Sequence, residues 1–386
     1  MKITSVRCVL VSGPYAAPGD AERELHLKQG FRPASFIVVK TDEGLSGVGE
    51  TYAGVYAPEA VQALVAQFAH DLILEDPRDV SAVWERLRLA SYYWGRTGLT
   101  QSVIGGIEMA LWDLKGKLYG QPVYDLLGGK VHEAIAVYAS GGNDKPFPDL
   151  ERELRGYVDE GYTAVKIRIN NLSAEQILEK VAFCRKVLGE RIGLAVDAAQ
   201  GLARNPWPVK TAIEIARSLE PFDLLWIEEP AEVTNYAGFA EIRRQVRTPI
   251  AGGETVTSLV EAEAYLRAGS LDLFQPDATL IGGIGVFRQV AQLCERQFLP
   301  IAVHAWSAGV GLMGNYHAAF ASRNCTILEC SNVPNPLRDE LLVEPLRLHD
   351  GKLAAPTAPG LGVVLPQDLE ERYPYRPGSV YRILGN

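Results

Sequence analysis

The sequence predicts an α/β fold: a parallel (β/α)8-type barrel joined to a smaller α+β unit. Two features point to the barrel. From Ala134 onward, eight short apolar runs alternate with amphipathic helical stretches. Six acid or base side chains follow those runs at intervals of 23–31 residues: Lys166, Asp197, Glu228, Glu254, Asp277 and His304. Such an interval suits one βα unit, and a barrel gathers the C-terminal ends of its strands on one face. The front third instead reads as a strand meander followed by helices, an α+β arrangement. An open doubly wound sheet is the second choice for the repeating part. No G-x-G-x-x-G follows its first strand, which weakens the dinucleotide-binding version.

In chain order, residues 3–12 and 36–41 read as strands, and GLSGVGET as a Gly-rich turn entering a third. A polar loop, GPYAAPGDAERELHLKQGF, is expected between the first two. Apolar residues at helical spacing predict helices over 58–72 and 79–90. A longer helix over 100–118 carries Ile104, Ile107, Ala110, Leu111 and Leu114 on one side. The expected barrel strands are AIAVYAS, AVKIRI, IGLAVDA, DLLWIEE, PIAGGE, LDLFQPD, LPIAVHA and CTILECS. Residues 331–386 are rich in Pro and Gly, lack helical periodicity, and are expected to fold back onto the front unit. The division is therefore 1–125 for the N-terminal cap, 126–335 for the barrel, and 336–386 for a segment returning to the cap.

Composition excludes several classes of function. The chain has 386 residues, 47% apolar and 22% charged, ordinary for a soluble globular protein and long enough for a large core. A net charge of -9 without a Lys/Arg cluster argues against nucleic acid or an anionic membrane surface as partner. Cys8, Cys184, Cys294, Cys325 and Cys330 lack CxxC spacing and read as free thiols in a reducing, cytoplasmic setting. The N-terminal apolar stretch is broken by Arg7, unlike a signal peptide, and no segment approaches the ~20 apolar residues of a membrane span.

The strand-end residues carry the chemistry. Asp197, Glu228 and Glu254 end three successive strands, and three carboxylates in one pocket repel unless a cation holds them. Oxygen ligands without a nearby Cys or second His favour Mg2+ over zinc. Lys166 and Arg168, two apart on a strand, share a face and suit a carboxylate substrate and a developing enolate oxygen. His304 and Asp277 end neighbouring strands, and an Asp bonded to imidazole fixes its tautomer and makes it a general base. Glu329 ends the eighth strand, within reach of a substrate oxygen. Singly, each has a plainer reading: a surface Glu-Glu-Pro loop, a structural histidine, an edge strand with two solvated charges. Six in register are an improbable accident.

With those residues placed, the chain resembles the enolase superfamily, mandelate racemase-like subgroup, over nearly its whole length. The matching pieces are GIEMALWDLKGK, KIR, DAAQG, WIEEP, GGET, QPDATLIGGI and HAWSAGVG. The resemblance implies a modified TIM barrel, (β/α)7β, with a capping domain made from both termini. It implies Mg2+ on Asp197, Glu228 and Glu254, His304 as a base paired with Asp277, and Glu329 as an electrophilic partner of the substrate carboxylate. It further implies a small carboxylate (acid-sugar) substrate and a homo-oligomer between dimer and octamer. Lys166 matches the first lysine of the family's K-x-K, but Arg168 stands where the second supplies the opposite-face base. Arginine, with a pKa above ~12, is a poor proton acceptor, so Arg168 argues for one-base chemistry.

The function expected is a dehydratase of an aldonate or aldarate yielding a 2-keto-3-deoxy acid. The alternatives are a sugar-acid lactone cycloisomerase, which the tail and the HAWSAGVG region also resemble, then an epimerase or racemase, then a noncatalytic acid-sugar binder. Substrate recognition is expected from the cap: Tyr15, His26, Lys28 and Arg32, then Thr51, Tyr52 and Tyr56, then Tyr92, Trp94 and Arg96.

Overall fold

The computed structural model describes residues 1–17 and 21–383, and only the backbone of residues 21, 22, 25 and 28. Strands β1 (Ile3–Pro14), β2 (Phe31–Thr41) and β3 (Ser46–Glu50) form an antiparallel sheet in that order. The two long strands extend into the stretch expected to be a loop, pairing Gly13 with Arg32 and Pro14 with Phe31, and a short helix, Ala21–His26, lies between them. Cross-strand pairing thus overrides weak local β-propensity. One sheet face, with Ile3, Ile37 and Val39, packs on helices Pro58–Leu72, Val80–Ala90 and Leu99–Tyr119. The other, with Val9, Val11, Phe36, Val38 and Val48, joins the core that continues into the barrel.

The barrel strands are β4 (Ala134–Gly141), β5 (Ala164–Arg168), β6 (Gly193–Asp197), β7 (Ile227–Glu228), β8 (Ile250–Gly252), β9 (Leu273–Phe274), β10 (Ile301–Val303) and β11 (Cys325–Ser331). Each pairs in parallel with the next, and β11 pairs back with β4, closing the ring. Seven helices connect them: Phe147–Asp159, Ala174–Leu188, Val209–Leu219, Tyr236–Gln245, Leu259–Ala268, Ile284–Arg296 and Gly309–Phe320. The (β/α)7β pattern is as expected. Local signals agree with it: Ser173 and Gln176 form a reciprocal capping box at the start of Ala174–Leu188.

Several strands are shorter than their apolar runs. In WIEEP and FQPD the prolines Pro230 and Pro276 carry no N–H for the ladder, so the chain leaves the sheet there. Inside the barrel, Tyr138, Ala164, Ala195, Trp226, Ala251, Leu273, Ala302 and Ile327 form one packed layer. Seven of these eight precede a polar mouth residue by two, because alternate strand residues face the same side. The alanines leave room that Tyr138 and Trp226 fill, and this layer is the floor of the site.

The tail does more than return to the cap. Its hairpin, β12 (Leu348–His349) and β13 (Lys352–Ala354), adds antiparallel to β4. Bridges Val11–Pro374 and Leu27–Tyr381 then tie the last residues to the cap. Cap and barrel also meet through two buried carboxylates. Glu50 accepts from the Ala308 (2.8 Å) and Gly311 (2.7 Å) N–H groups at the start of helix Gly309–Phe320. Glu108 accepts from Ile284 and Gly285 N–H (both 2.9 Å) at the start of Ile284–Arg296. Both satisfy otherwise orphaned helix donors. Burial nevertheless outweighs those donors and raises each carboxyl to about 7.

Helix Leu99–Tyr119 approaches the barrel so closely that a Cβ on Gly105 would lie 2.4 Å from the Gly283 nitrogen. Backbone on both sides cannot yield as a side chain would. Gly105→Ala is expected to cost about 2–3 kcal/mol of stability in urea unfolding; an unchanged midpoint would mean that the cap shifts freely on the barrel. Among the described residues no helix is long and apolar enough to cross a membrane.

Candidate active site

Register sets the central row. Arg168 on β5 is opposite Asp197 on β6, which is opposite Glu228 on β7. Arg168 Nη1 donates to Asp197 Oδ2 at 3.0 Å, and its guanidinium lies 4.9 Å from the centre of the Trp306 ring. Lys166, 2% exposed, donates to Glu228 Oε1 at 2.6 Å and stands 3.0 Å from Glu329 Oε1 and 4.0 Å from Asp197 Oδ2. Burial opposes its charge, but Glu228 and Glu329 prevail and hold it firmly as an ammonium. Glu228 Oε2 accepts from the Trp226 indole (3.0 Å), which leads into the same strand, and from the Gln275 amide (2.7 Å), which follows β9 two strands away.

His304 follows β10. Its Nδ1 is 2.7 Å from Asp277 Oδ2, while Asp277 Oδ1 accepts from Thr279 N–H (2.7 Å), Thr279 Oγ1 (2.6 Å) and Asn315 Nδ2 (2.8 Å). Asp277 is thus locked from one side and can only accept the Nδ1 proton, so Nε2 is the nitrogen left to exchange a proton. Nε2 faces Glu254 Oε2 at 3.6 Å and Glu329 Oε2 at 3.9 Å. Burial lowers the imidazole pKa, but Glu254, Asp277 and Glu329 overcome it and raise it to about 10. Glu329, anchored by Ala305 N–H at 2.8 Å, is resisted by burial yet held ionised by Lys166 and His304, down at about 2. Gly253, at φ +102°, makes the turn that brings Glu254 back over the mouth.

The charges do not balance. Asp197, Glu228, Glu229, Glu254, Asp277 and Glu329 stand against Lys166, Arg168 and His304 among the described residues. Burial and neighbouring carboxylates push Glu229 strongly toward its neutral form; burial does the same to Asp197 and Glu254, against Arg168 and His304 respectively. Glu229 Oε1 is buried and accepts no hydrogen bond, and its backbone is left-handed at φ 44°. As the side chains stand, no group of three or more His, Cys, Asp or Glu among those described is placed to hold a metal ion. Lys166 lies among the carboxylates instead. The donor set, all carboxylate oxygen with negative charge in excess, nonetheless suits a hard divalent cation.

The cap residues divide into two groups. Arg32 donates to the Trp306 carbonyl at 2.5 Å and lies over the rings of Tyr15 (4.7 Å) and Tyr52 (5.3 Å). Tyr52 meets the His304 ring edge-on at 5.8 Å, the Tyr56 hydroxyl donates to that of Tyr52 (3.3 Å), and Thr51 Oγ1 donates to the Thr279 carbonyl (3.0 Å). His26 stacks on Tyr381 of the tail at 4.7 Å. Trp94, by contrast, is half-exposed and stacks on Phe68 in the cap, and Tyr92 and Arg96 are exposed. The Lys28 side chain lies outside what is described. Sequence reasoning missed Gln275, Trp226, Trp306, Asn315 and Tyr381. Gln275 and Trp226 each precede a singled-out residue by two and share its face, a signal that was available; Asn315 and Tyr381 reach the site only through the fold.

Comparison with known proteins follows the same lines. Residues 149–369 match the family described as enolase C-terminal domain-like. Residues 28–128 match the mandelate racemase / muconate lactonizing enzyme N-terminal domain. The chain is 31% identical over 339 residues to arabinonate dehydratase of Saccharolobus solfataricus, covering 87% of this chain and 89% of that one. It is 31% identical over 380 residues to D-galactarolactone cycloisomerase of Agrobacterium fabrum, covering 95% and 97%. The crystal structure of L-talarate dehydratase from Polaromonas sp. JS666 complexed with Mg and L-glucarate superposes with a TM-score of 0.81 at 29% identity, covering 96% and 98%.

Proposed function

We propose, from the premise that this chain belongs to the enolase superfamily and to its mandelate racemase / muconate lactonizing enzyme family, that it is a Mg2+-dependent dehydratase of an acid sugar. One observation carries the reading. His304, oriented by Asp277 at 2.7 Å, is the base on one side of the carboxylate cluster, whereas Arg168 on β5, across the closed barrel, is tied to Asp197 at 3.0 Å. A base on one face suits elimination better than racemisation. The dehydratase names among the relatives support the same class.

Asp197, Glu228 and Glu254 would hold the ion. When bound, Mg2+ would offset their charge and draw electron density from the substrate carboxylate. In its neutral form, His304 Nε2 takes the proton α to that carboxylate, and the Lys166 ammonium stabilises the negative charge that develops. Glu329, fixed by Ala305, borders the carboxylate position. The imidazolium then returns its proton to the departing β-hydroxyl, so that water leaves and the enol tautomerises to a 2-keto-3-deoxy acid.

Acid sugars incubated with the protein and Mg2+ in D2O should lose water and yield keto acids. An untouched α-proton across an aldonate and aldarate panel would overturn the reading. A second reading, lactone or anhydro-ring cycloisomerisation, is favoured by the 31% and 33% identical cycloisomerases and shares the first proton transfer. It would show as deuterium uptake without loss of water. Metal binding has its own test. Saturation to one hundred times Kd should stabilise the fold by about 2.7 kcal/mol in a thermal shift reversed by EDTA. Glu254→Ala should abolish that shift; a shift retained in this variant would remove Glu254 from the ligand set.

A further inference from the structure

Beside the carboxylate cluster, across Arg168 and Ala199, opens a cavity of about 260 Å³. It is lined by groups from separate parts of the chain: Asn143 and Asp144 after β4, Asn170 after β5, His26 of the cap and Tyr381 of the tail. It has room for a short polyhydroxylated chain. Leu202 and Ile383 supply apolar surface against which C–H faces can rest.

The charges of this lining discriminate between ligands. Arg168, the one arginine in it, is already matched by Asp197. Asp144 is exposed at the rim and would repel a second carboxylate. His26 Nδ1 lies 2.8 Å from the Arg382 carbonyl, so in the neutral ring that nitrogen carries the proton and Nε2 remains an acceptor. Amides, a phenol, an imidazole acceptor and a carboxylate all pair well with hydroxyls. Among the described lining residues, none offers an unmatched cation to a distal carboxylate.

We infer that the cavity receives an uncharged polyol end, so that the substrate is a monocarboxylic sugar acid (an aldonate) rather than a diacid, with Asn170 and Asp144 as specificity-determining residues. This rests on the acid-sugar reading proposed above and narrows it. The test compares aldonates with the corresponding aldarates by kcat/KM for keto-acid formation and by α-proton exchange. Wild type should favour aldonates by at least about tenfold, the scale of one unpaired polar contact. Asp144→Lys should shrink that preference about tenfold by placing a cation at the rim. Asn170→Ala should raise the aldonate KM about five- to tenfold with kcat little changed, as loss of one uniform binding contact requires. Equal or better use of aldarates by wild type, or an unchanged preference in Asp144→Lys, would overturn the inference while leaving the dehydratase reading intact. Absence of exchange with every acid sugar would bring down both.

Discussion

Replacing His304 by Asn is expected to lower kcat about a thousandfold, within the range that a positioned acid–base group contributes. The substitution is chosen for what it preserves. An asparagine amide can still donate to Asp277 Oδ2, so that carboxylate, which already accepts from Thr279 and Asn315, is not left short of a donor. What disappears is the proton-exchanging nitrogen, Nε2, that faces Glu254 and Glu329. The α-proton of an acid sugar should therefore stop exchanging with D2O together with the loss of dehydration. The Mg2+-dependent thermal shift should persist, because Asp197, Glu228 and Glu254 are unchanged. Exchange near the wild-type rate in His304→Asn would move the base to another residue.

That much follows from residues readable in the sequence, and the reason is periodicity. A strand shows its alternate residues to one side, and a barrel turns one side of every strand inward. Lys166, Asp197, Glu228 and His304 therefore announced both a fold and a meeting point. The same logic applies to Trp226 and Gln275, two residues before Glu228 and Asp277, which were passed over because neither side chain is charged. Other parts could not be read. Tyr381 reaches His26 only because the tail crosses the cap, and nothing local to either residue encodes the stack. The extension of β1 and β2 into a polar stretch depends on their pairing, and the β12–β13 hairpin on an available edge at the base of β4. Lys166 among the carboxylates is likewise a tertiary fact: its spacing showed that it would face inward, but not that Glu228 and Glu329 would flank its ammonium.

Glu50 and Glu108 link these levels. Each is a buried carboxylate of the front unit, Glu50 at the end of β3 and Glu108 in Leu99–Tyr119, where the Trp112 indole donates to it at 2.6 Å. Each meets the amino end of a barrel helix that follows a strand bearing a site residue, Asp277 after β9 or His304 after β10. The cap is thus docked onto the two helices whose preceding loops carry the His304–Asp277 pair. Thr51 and Tyr52, directly after Glu50, are carried to the mouth by the same contact.

Arg168→Lys is expected to open the second face of the substrate. β5 and β10 lie three strands apart around the ring, so residues 168 and 304 reach the mouth from different sides. The guanidinium keeps its proton under all ordinary conditions, whereas a lysine amine loses its proton readily once desolvated. Lysine also cannot reproduce the contact with Asp197 together with the stack on Trp306, so elimination should slow about tenfold. The positive signature is new chemistry rather than lost rate. Wild type should exchange the α-proton of one C2 epimer, and Arg168→Lys should exchange both and interconvert them slowly. Chiral chromatography of recovered substrate, with mass spectrometry for deuterium, reads both outcomes in one sample. If the variant still exchanges only the epimer that wild type uses, then base strength at position 168 is not what confines the reaction to one face, and the argument from Arg168 to one-base elimination loses its foundation.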